Sequence, residues 1–524
     1  MVHRFLLVGL LVAAVEGQPW LEPNNGVRYP RIGHYQPEEN MATQLAIDQD
    51  LITIMDLVGN KQFMHALTTY EQGGSSSSIA ILTLSEELDA DIPLYSKITG
   101  TTESGNEVVA YTLSKHEAES NTFEVKYDVQ FGQTEECKVG GLAASNREKI
   151  EGCFAPNGTI SVEQEFGDPM ILSYSYNPKV NNRNDHNFWG LSKFARSTMM
   201  ECVGGCPYED FIKYYNYYGT YTYGDLFVKA AIWDKTTESY ERGQVDFKKL
   251  PGPQQELGRA DAVVWGIVVL STWMAVVRQY ELALDLCVPA IADFDAVDNA
   301  EALYRWEEGV ALYAGMSLIS EGTGSLMYSV ADDMCEAFGT CSQDGNHTIG
   351  IAHVNYEIMG EWAIAKQNLM VGNCVGARQN KERIVKLMTV PLIQGALVYS
   401  YALDSSVHQF MASSGDYAAS SAFVTAVAPL VHHCSPSDAA ILQENFAFES
   451  TSQTSFVAVK EALERNYKCL GVTCAQVGGV LENKGHTYRL KAGPCVDEDL
   501  SESTTNEILG EDPDDAVDFT VVLL

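Results

Sequence analysis

Carboxylates placed at helical spacing are the residues of this 524-residue sequence whose types best suggest chemistry. Glu281 and Asp285 are four apart, so one face of a helix carries both. Glu307 and Glu308 precede Tyr313 in a helical pattern, and Asp332 and Asp333 lie close to Cys335. Such oxygen donors suit hard cations, and each pair equally suits a solvated helix face. Glu308 is set among Trp306, Val310 and Leu312, and a carboxylate drawn out of water needs a cationic partner or a proton. Tyr214, Tyr215, Tyr217, Tyr218, Tyr221 and Tyr223 form an aromatic cluster with Asp210 and Asp225 nearby. A phenol becomes a ferric ligand when the metal lowers its pKa, whereas a tyrosine that only packs buries its ring and finds one partner for its hydroxyl. The metal-ligand set read from these patterns is Glu281, Asp285, Glu308, Tyr313 and Asp332, with Tyr218 and Tyr223 as weaker candidates. His432 and His433 are adjacent on a helix and point in different directions, and Cys434 beside them suits a disulfide.

Other chemistry is missing from the sequence. It holds no Gly-x-Ser-x-Gly elbow, phosphate loop, His-Glu-x-x-His helix, EF-hand loop or dinucleotide fingerprint, which disfavours the enzyme classes built on them. Acidic residues outnumber basic ones by 70 to 34, a net charge of -36 that opposes binding to nucleic acid and to anionic lipid. Cationic partners are favoured, although acidity also keeps a protein soluble.

The elements that must position these groups fall in two regions. Ile79 to Leu84, Glu107 to Leu113, Phe123 to Val129 and Met170 to Tyr176 alternate with period two, separated by turn-forming residues, and predict an antiparallel sheet or sandwich. A helix from about Met41 to Leu67 precedes them. Helical periodicity then dominates, near Tyr223 to Asp234, Leu257 to Cys287, Ala300 to Leu318, Ser325 to Phe338, Ile349 to Val371 and Lys381 to Leu403. Ala262 to Val277, flanked by Asp261 and Arg278, reads as a buried core helix rather than a membrane span. The expected fold class is α+β: an N-terminal antiparallel β domain packed on, or followed by, a larger helical bundle. The expected division is a signal peptide over 1–17, a segment with one helix over 18–66, a β-rich domain over 67–189, a helical domain over 190–480 and an acidic, largely disordered tail over 481–524.

Arg4, the apolar run Phe5 to Val15, and the small residues Val15 and Gly17 predict a cleaved secretory signal. Twelve cysteines form an even set behind it, the usual context for disulfides. Spacing favours local closures of Cys137 with Cys153, Cys202 with Cys206, Cys335 with Cys341 and Cys469 with Cys474, leaving three pairings open for the other four. Asn157 and Asn346 head glycosylation sequons beside turn-forming residues. These features predict a secreted protein of the extracellular or periplasmic space that is not inserted in a membrane.

Phe211 to Ile232 (FIKYYNYYGTYTYGDLFVKAAI), Trp306 to Gly315, Leu326 to Asp332, Cys335 to Cys341, Met388 to Tyr401 and Tyr467 to Gly479 resemble the algal low-iron-inducible periplasmic, or Fe-assimilation, family of green algae and diatoms. Tyr70 to Gly74 and Gly152 to Ala155 resemble its diatom branch, so the resemblance covers most of the chain after residue 17. Where the family pattern reads Trp-Asp-Glu-Gly, this chain has Glu307 before Glu308. Its short apolar end, Phe519 to Leu524, predicts no C-terminal membrane segment of the kind that surface-anchored relatives carry. The resemblance implies no catalysis. It implies a role in concentrating iron outside the cell; related phytotransferrins bind ferric iron together with carbonate, which leaves carbonate open as an accompanying anion. Partners would be iron or other hard cations and a cell-surface receptor or cell-wall component. Two other readings stand beside it: an extracellular matrix or cell-surface interaction protein without stoichiometric metal, and a hydrolase or carbonic-anhydrase-like enzyme with no recognisable motif.

Overall fold

The computed structural model describes residues 35, 37, 41–73, 79–83, 92, 96–112, 122–127, 138–139, 150–151, 154–164, 168–175, 191–290, 298–318, 324–407, 412–446, 448, 454–482 and 487–497. The fold is α+β, as the change of periodicity predicts. Helices α1 (Ala42–Gly59) and α2 (Phe63–Gln72) come first. Strands β1 (Ile79–Thr83), β2 (Lys97–Thr101), β3 (Glu107–Thr112), β4 (Thr122–Tyr127), β5 (Lys138–Val139), β6 (Ile150–Glu151), β7 (Asn157–Val162) and β8 (Met170–Ser175) follow. Six of them form an antiparallel sheet in the order β1-β4-β3-β2-β7-β8, and β5 and β6 make a separate ribbon. Pairing sets Lys97 opposite Tyr111 and Asn157 opposite Ser175. Ile98, Phe154, Ile160 and Val162 are buried in the sheet region. Pro156-Asn157-Gly158 has the composition of a turn, yet Asn157 and Gly158 begin β7, pairing with Ser175 and Tyr174.

The rest is helical: α3 (Leu191–Ser197), α4 (Glu209–Tyr218), α5 (Tyr223–Trp233), α6 (Gln255–Trp265), a π-helical segment (Gly266–Thr272), α7 (Trp273–Leu286), α8 (Ala300–Ala314), α9 (Met327–Phe338), α10 (His353–Met370), α11 (Cys374–Leu403), α12 (Ser414–Cys434), α13 (Pro436–Phe446), α14 (Phe456–Glu464), α15 (Tyr467–Leu470) and α16 (Cys474–Val477). All seven residues of the π segment are buried, as an apolar stretch without a polar face requires. Helix α12 packs on α6 and α11, α7 on α8, and α10 on α11. Gln255–Leu286 and Cys374–Leu403 are long and apolar enough to cross a membrane, yet 89% of the apolar window of each lies inside the protein.

The helix expected near Met41 to Leu67 is two helices, and α1 packs against α6 and α8, so this segment belongs to the helical body rather than preceding it. Asp48 of α1 fixes that docking. Its carboxylate accepts from the backbone N–H of Met316 at 2.7 Å and of Ser325 at 3.0 Å. Burial pushes its pKa up to about 6 against the lowering effect of those N–H groups.

Five disulfides are present among the described residues. Cys202–Cys206 and Cys335–Cys341 are the expected local closures, and Cys287–Cys374 joins two of the four cysteines left open. The closure of Cys469 with Cys474 does not form. Cys469 lies in α15, which packs on α12 and meets Cys434 at that helix's end, while Cys474 opens α16 and bridges to Cys495. Residues 481–482 and 487–497, assigned to the tail, are therefore held to the helical body. Asp497 also accepts from the Cys474 N–H at 2.8 Å. The signal-peptide span, the Cys137 with Cys153 closure and residues 498–524 lie outside the described residues.

The Cys287–Cys374 bridge spans a sequence separation of 87, so its main effect is on the unfolded chain. Replacing both cysteines by serine is expected to lower the unfolding free energy by about 3–5 kcal/mol, read as a lower urea midpoint at unchanged slope.

Candidate metal centre

The seven residues proposed as ligands are distributed over separate networks, and their polar atoms already have partners. Glu281 on α7 is buried, with Lys381 Nζ 2.6 Å from Oε1 and an Arg378 guanidinium nitrogen 3.3 Å from Oε2. The same ammonium lies 2.8 Å from Asp210 on α4. Burial opposes the charge on Lys381, but the two carboxylates outweigh it and hold its pKa above the ordinary lysine value. Asp285, one turn beyond Glu281, is exposed and accepts from the Tyr208 hydroxyl at 2.5 Å. A cation site built on Glu281 would have to displace an ammonium.

Glu308 is fully buried on α8, 2.8 Å from Arg305 and from the Gln44 amide. Burial raises its pKa, with Arg305 acting against that rise. Its neighbour Glu307 lies 3.5 Å from Lys366. Tyr313 and Asp332 are brought together, but through Asn355. The Tyr313 hydroxyl donates to its Oδ1 at 2.9 Å, and its Nδ2 donates to Asp332 at 2.8 Å. Asp332 also accepts from the Ala352 N–H at 2.7 Å. Burial drives the Tyr313 pKa well above the phenol value, which disfavours a phenolate there.

Tyr218 and Tyr223 stack with ring centroids 5.0 Å apart inside the core. Pro429 lies inside α12 and has no N–H for the carbonyl of Thr425 one turn earlier. The Tyr218 hydroxyl donates to that carbonyl at 2.6 Å, so it completes a broken helix ladder. The Tyr223 hydroxyl reaches the Leu270 carbonyl at 3.3 Å, beside the π segment. His432 packs edge-on against Tyr217. Among the described residues, no group of three or more His, Cys, Asp and Glu side chains is placed to hold a metal ion.

A different set of oxygens lies where α6 and α12 cross. Near its start, α6 crosses the first turn of α12 in backbone contact. A Cβ on Gly258 would lie 2.6 Å from the Ser414 carbonyl oxygen, and one on Gly415 would lie 2.3 Å from an Asp261 carboxylate oxygen. Glycine at both positions permits this approach. Ser414 Oγ also donates to the Gln254 carbonyl at 2.9 Å. Ser413 caps α12 and Asp416 returns the bond, its Oδ2 accepting from the Ser413 N–H at 2.8 Å. Asp416 thus stands where its charge reaches Asp261. Burial, then the Asp416 charge, pushes the Asp261 carboxyl up to about 7.

Tyr399 of α11 completes the set. It is 2% exposed, stacked on Phe423 and edge-on to Trp265. Burial and the charges of Asp261, Asp416 and Asp333 hold its phenol well above the ordinary value. Neither the Asp261 carboxylate nor the Tyr399 hydroxyl has a hydrogen-bond or ion-pair partner among the described residues, which matches the absence of any such contribution to their pKa values. Carboxylate and phenol oxygens are hard donors, and a cation at Asp261 would take the place of its proton.

Sequence reasoning passed over this set although its signs were present. Asp261 borders the apolar run, Ser413 and Asp416 have capping-box spacing, and Tyr399 lies within the stretch Met388 to Tyr401. The three are 138 and 17 residues apart in order, and only packing of α6, α11 and α12 joins them. The sequon residues Asn157 and Asn346 are both exposed. The five bridges fit an oxidising compartment. Fold and site together define a disulfide-bonded α+β protein with one carboxylate, Asp261, that meets neither a basic side chain nor a hydrogen-bond donor among the described residues. The chain matches no protein-family model, no curated protein and no solved structure.

Two stability measurements probe these networks. Lys381→Met leaves Asp210 and Glu281 buried without their shared ammonium and is expected to cost about 3–5 kcal/mol, read by chemical unfolding. Asp261→Asn should act oppositely in chelator-treated protein. The folded state holds the Asp261 proton up to about pH 7, against an ordinary carboxyl at 3.8, so the wild type loses stability as pH rises through that window. The variant should be more stable at pH 8, by up to about 4 kcal/mol, with the difference vanishing by about pH 4.

Proposed function

We propose that this chain is a secreted, non-enzymatic protein of iron assimilation that retains iron at Asp261, Asp416 and Tyr399. One observation carries the reading: the partly buried Asp261 carboxylate and the hydroxyl of the core tyrosine Tyr399 have no hydrogen-bond or ion-pair partner among the described residues, and both feel the charge of Asp416. A chain that neutralises its buried acids with lysine, arginine and backbone N–H leaves Asp261 to a cation from outside. A hard trivalent ion suits oxygen donors of this kind and lowers the pKa of a phenol that it binds. When bound, iron would supply the positive charge that Asp261 lacks; the role of the protein would be to present the three side chains from α6, α11 and α12. The sequence resemblance to Fe-assimilation proteins supports the same reading, and the exposed sequons and disulfides suit an extracellular address.

A second reading, an extracellular matrix or cell-surface interaction protein without stoichiometric metal, is favoured by the neutralisation of Glu281, Glu308 and Asp332 within the fold. Ferric titration of chelator-stripped protein in moderate salt separates the two. Iron assimilation predicts about one equivalent, with a visible phenolate-to-iron absorption band that Tyr399→Phe abolishes. Asp261→Asn should weaken retention at least about tenfold, the loss of a charged ligand. Salt-sensitive, nonstoichiometric uptake that is unchanged in both variants would sink the iron reading and leave the second.

A further inference from the structure

At the joint between α7, α8, α10 and α11 the chain exposes a compact group of apolar side chains. Leu286 ends α7 and Val288 follows it, while Met370, Val371 and Val375 surround the turn from α10 to α11; all are between 37% and 73% exposed. They are neighbours because Cys287 is bonded to Cys374 and the Ala290 N–H donates to the Gly372 carbonyl at 3.1 Å. Asn299 locks the joint further. Its side chain accepts from the Val288 N–H at 2.7 Å and donates to the carbonyls of Val288 at 3.0 Å and Leu369 at 2.8 Å. The patch is therefore held rigid by a covalent bond and four hydrogen bonds, so little side-chain or backbone freedom remains to be lost when something covers it.

Apolar groups clustered on a rigid surface mark an interaction site. Its rim decides what it takes. Asp285, Asp298 and Glu301 are exposed on the elements that meet there, against one basic residue, Arg378, which is 48% exposed and pairs with Glu281, and the chain as a whole carries a charge of -36. A second copy would bring the same charge, and an anionic lipid surface would be repelled in the same way. We propose that this joint docks a cationic amphipathic segment of a partner protein, its apolar face on Val371 and Val375 and its basic residues on the acidic rim. This surface is separate from the Asp261 site and does not depend on iron.

The test uses the full secreted chain and two labelled helical peptides of equal positive charge, one of leucine and lysine and one of serine and lysine, in about 0.15 M salt, where diffuse attraction is screened. The leucine peptide is expected to bind at least about tenfold more tightly than the serine peptide. Val371→Ser with Val375→Ser, both at exposed positions, should remove that preference while leaving the unfolding midpoint unchanged. Equal affinity for the two peptides, or a preference that survives the double variant, would overturn the proposal. So would a wild-type dimer in sedimentation that the double variant abolishes, because the patch would then be covered by a second copy.

Discussion

Neutralising carboxylates that have been taken out of water is the constraint on which the helical body depends. A buried charge without a partner is far less stable than one in water, and this chain has about half as many basic residues as acidic ones. The basic side chains are placed accordingly. Lys381 serves Asp210 and Glu281 together, Arg305 serves Glu308, Lys366 lies beside Glu307, and Lys229 lies 3.0 Å from buried Asp225. Where no basic residue is placed, backbone donors act, as for Asp48 and Asp332. Asp261 stands out against this pattern because it has neither.

Tyrosines obey a parallel rule. Their rings fill the core, and their hydroxyls go to backbone or side-chain oxygens that would otherwise be unsatisfied. Tyr214 and Tyr218 reach consecutive carbonyls of α12 near Pro429, and Tyr240 reaches the carbonyl of Tyr223. The dense aromatic stretch of α4 is thus explained by packing around a proline-interrupted helix. Tyr399 departs from this rule as Asp261 departs from that of the carboxylates, and the two departures coincide in space.

Disulfides act on the outer parts of the same body. Cys434–Cys469 and Cys474–Cys495 tie successive short helices to the end of α12 and to the following chain, and Cys287–Cys374 closes the joint that presents Val371 and Val375. An interior organised by charge pairing and an exterior fixed by covalent bonds leave few places where an unsatisfied group can persist. Asp261 and the apolar joint are two such places.

The sequence by itself determined the α+β class, because a period of two residues and a period of 3.6 mark their elements locally. Four strands, the central apolar helix, the burial of Glu308 and two of the short disulfides were legible for the same reason: each depends on residues close together in the chain. The strands Lys97–Thr101 and Asn157–Val162 were not, since glycine and polar residues interrupt their alternation and pairing alone defines them. Carboxylate spacing likewise announced donors at Glu281 and Asp332 without revealing that Lys381 and Asn355 already occupy them. Only the tertiary structure decided which acids are neutralised, because the cation for Glu281 lies 100 residues away on another helix. The choice of Cys434 rather than Cys474 as the partner of Cys469, and the meeting of Asp261, Tyr399 and Asp416, follow from how helices cross, and neither spacing nor composition encodes a crossing.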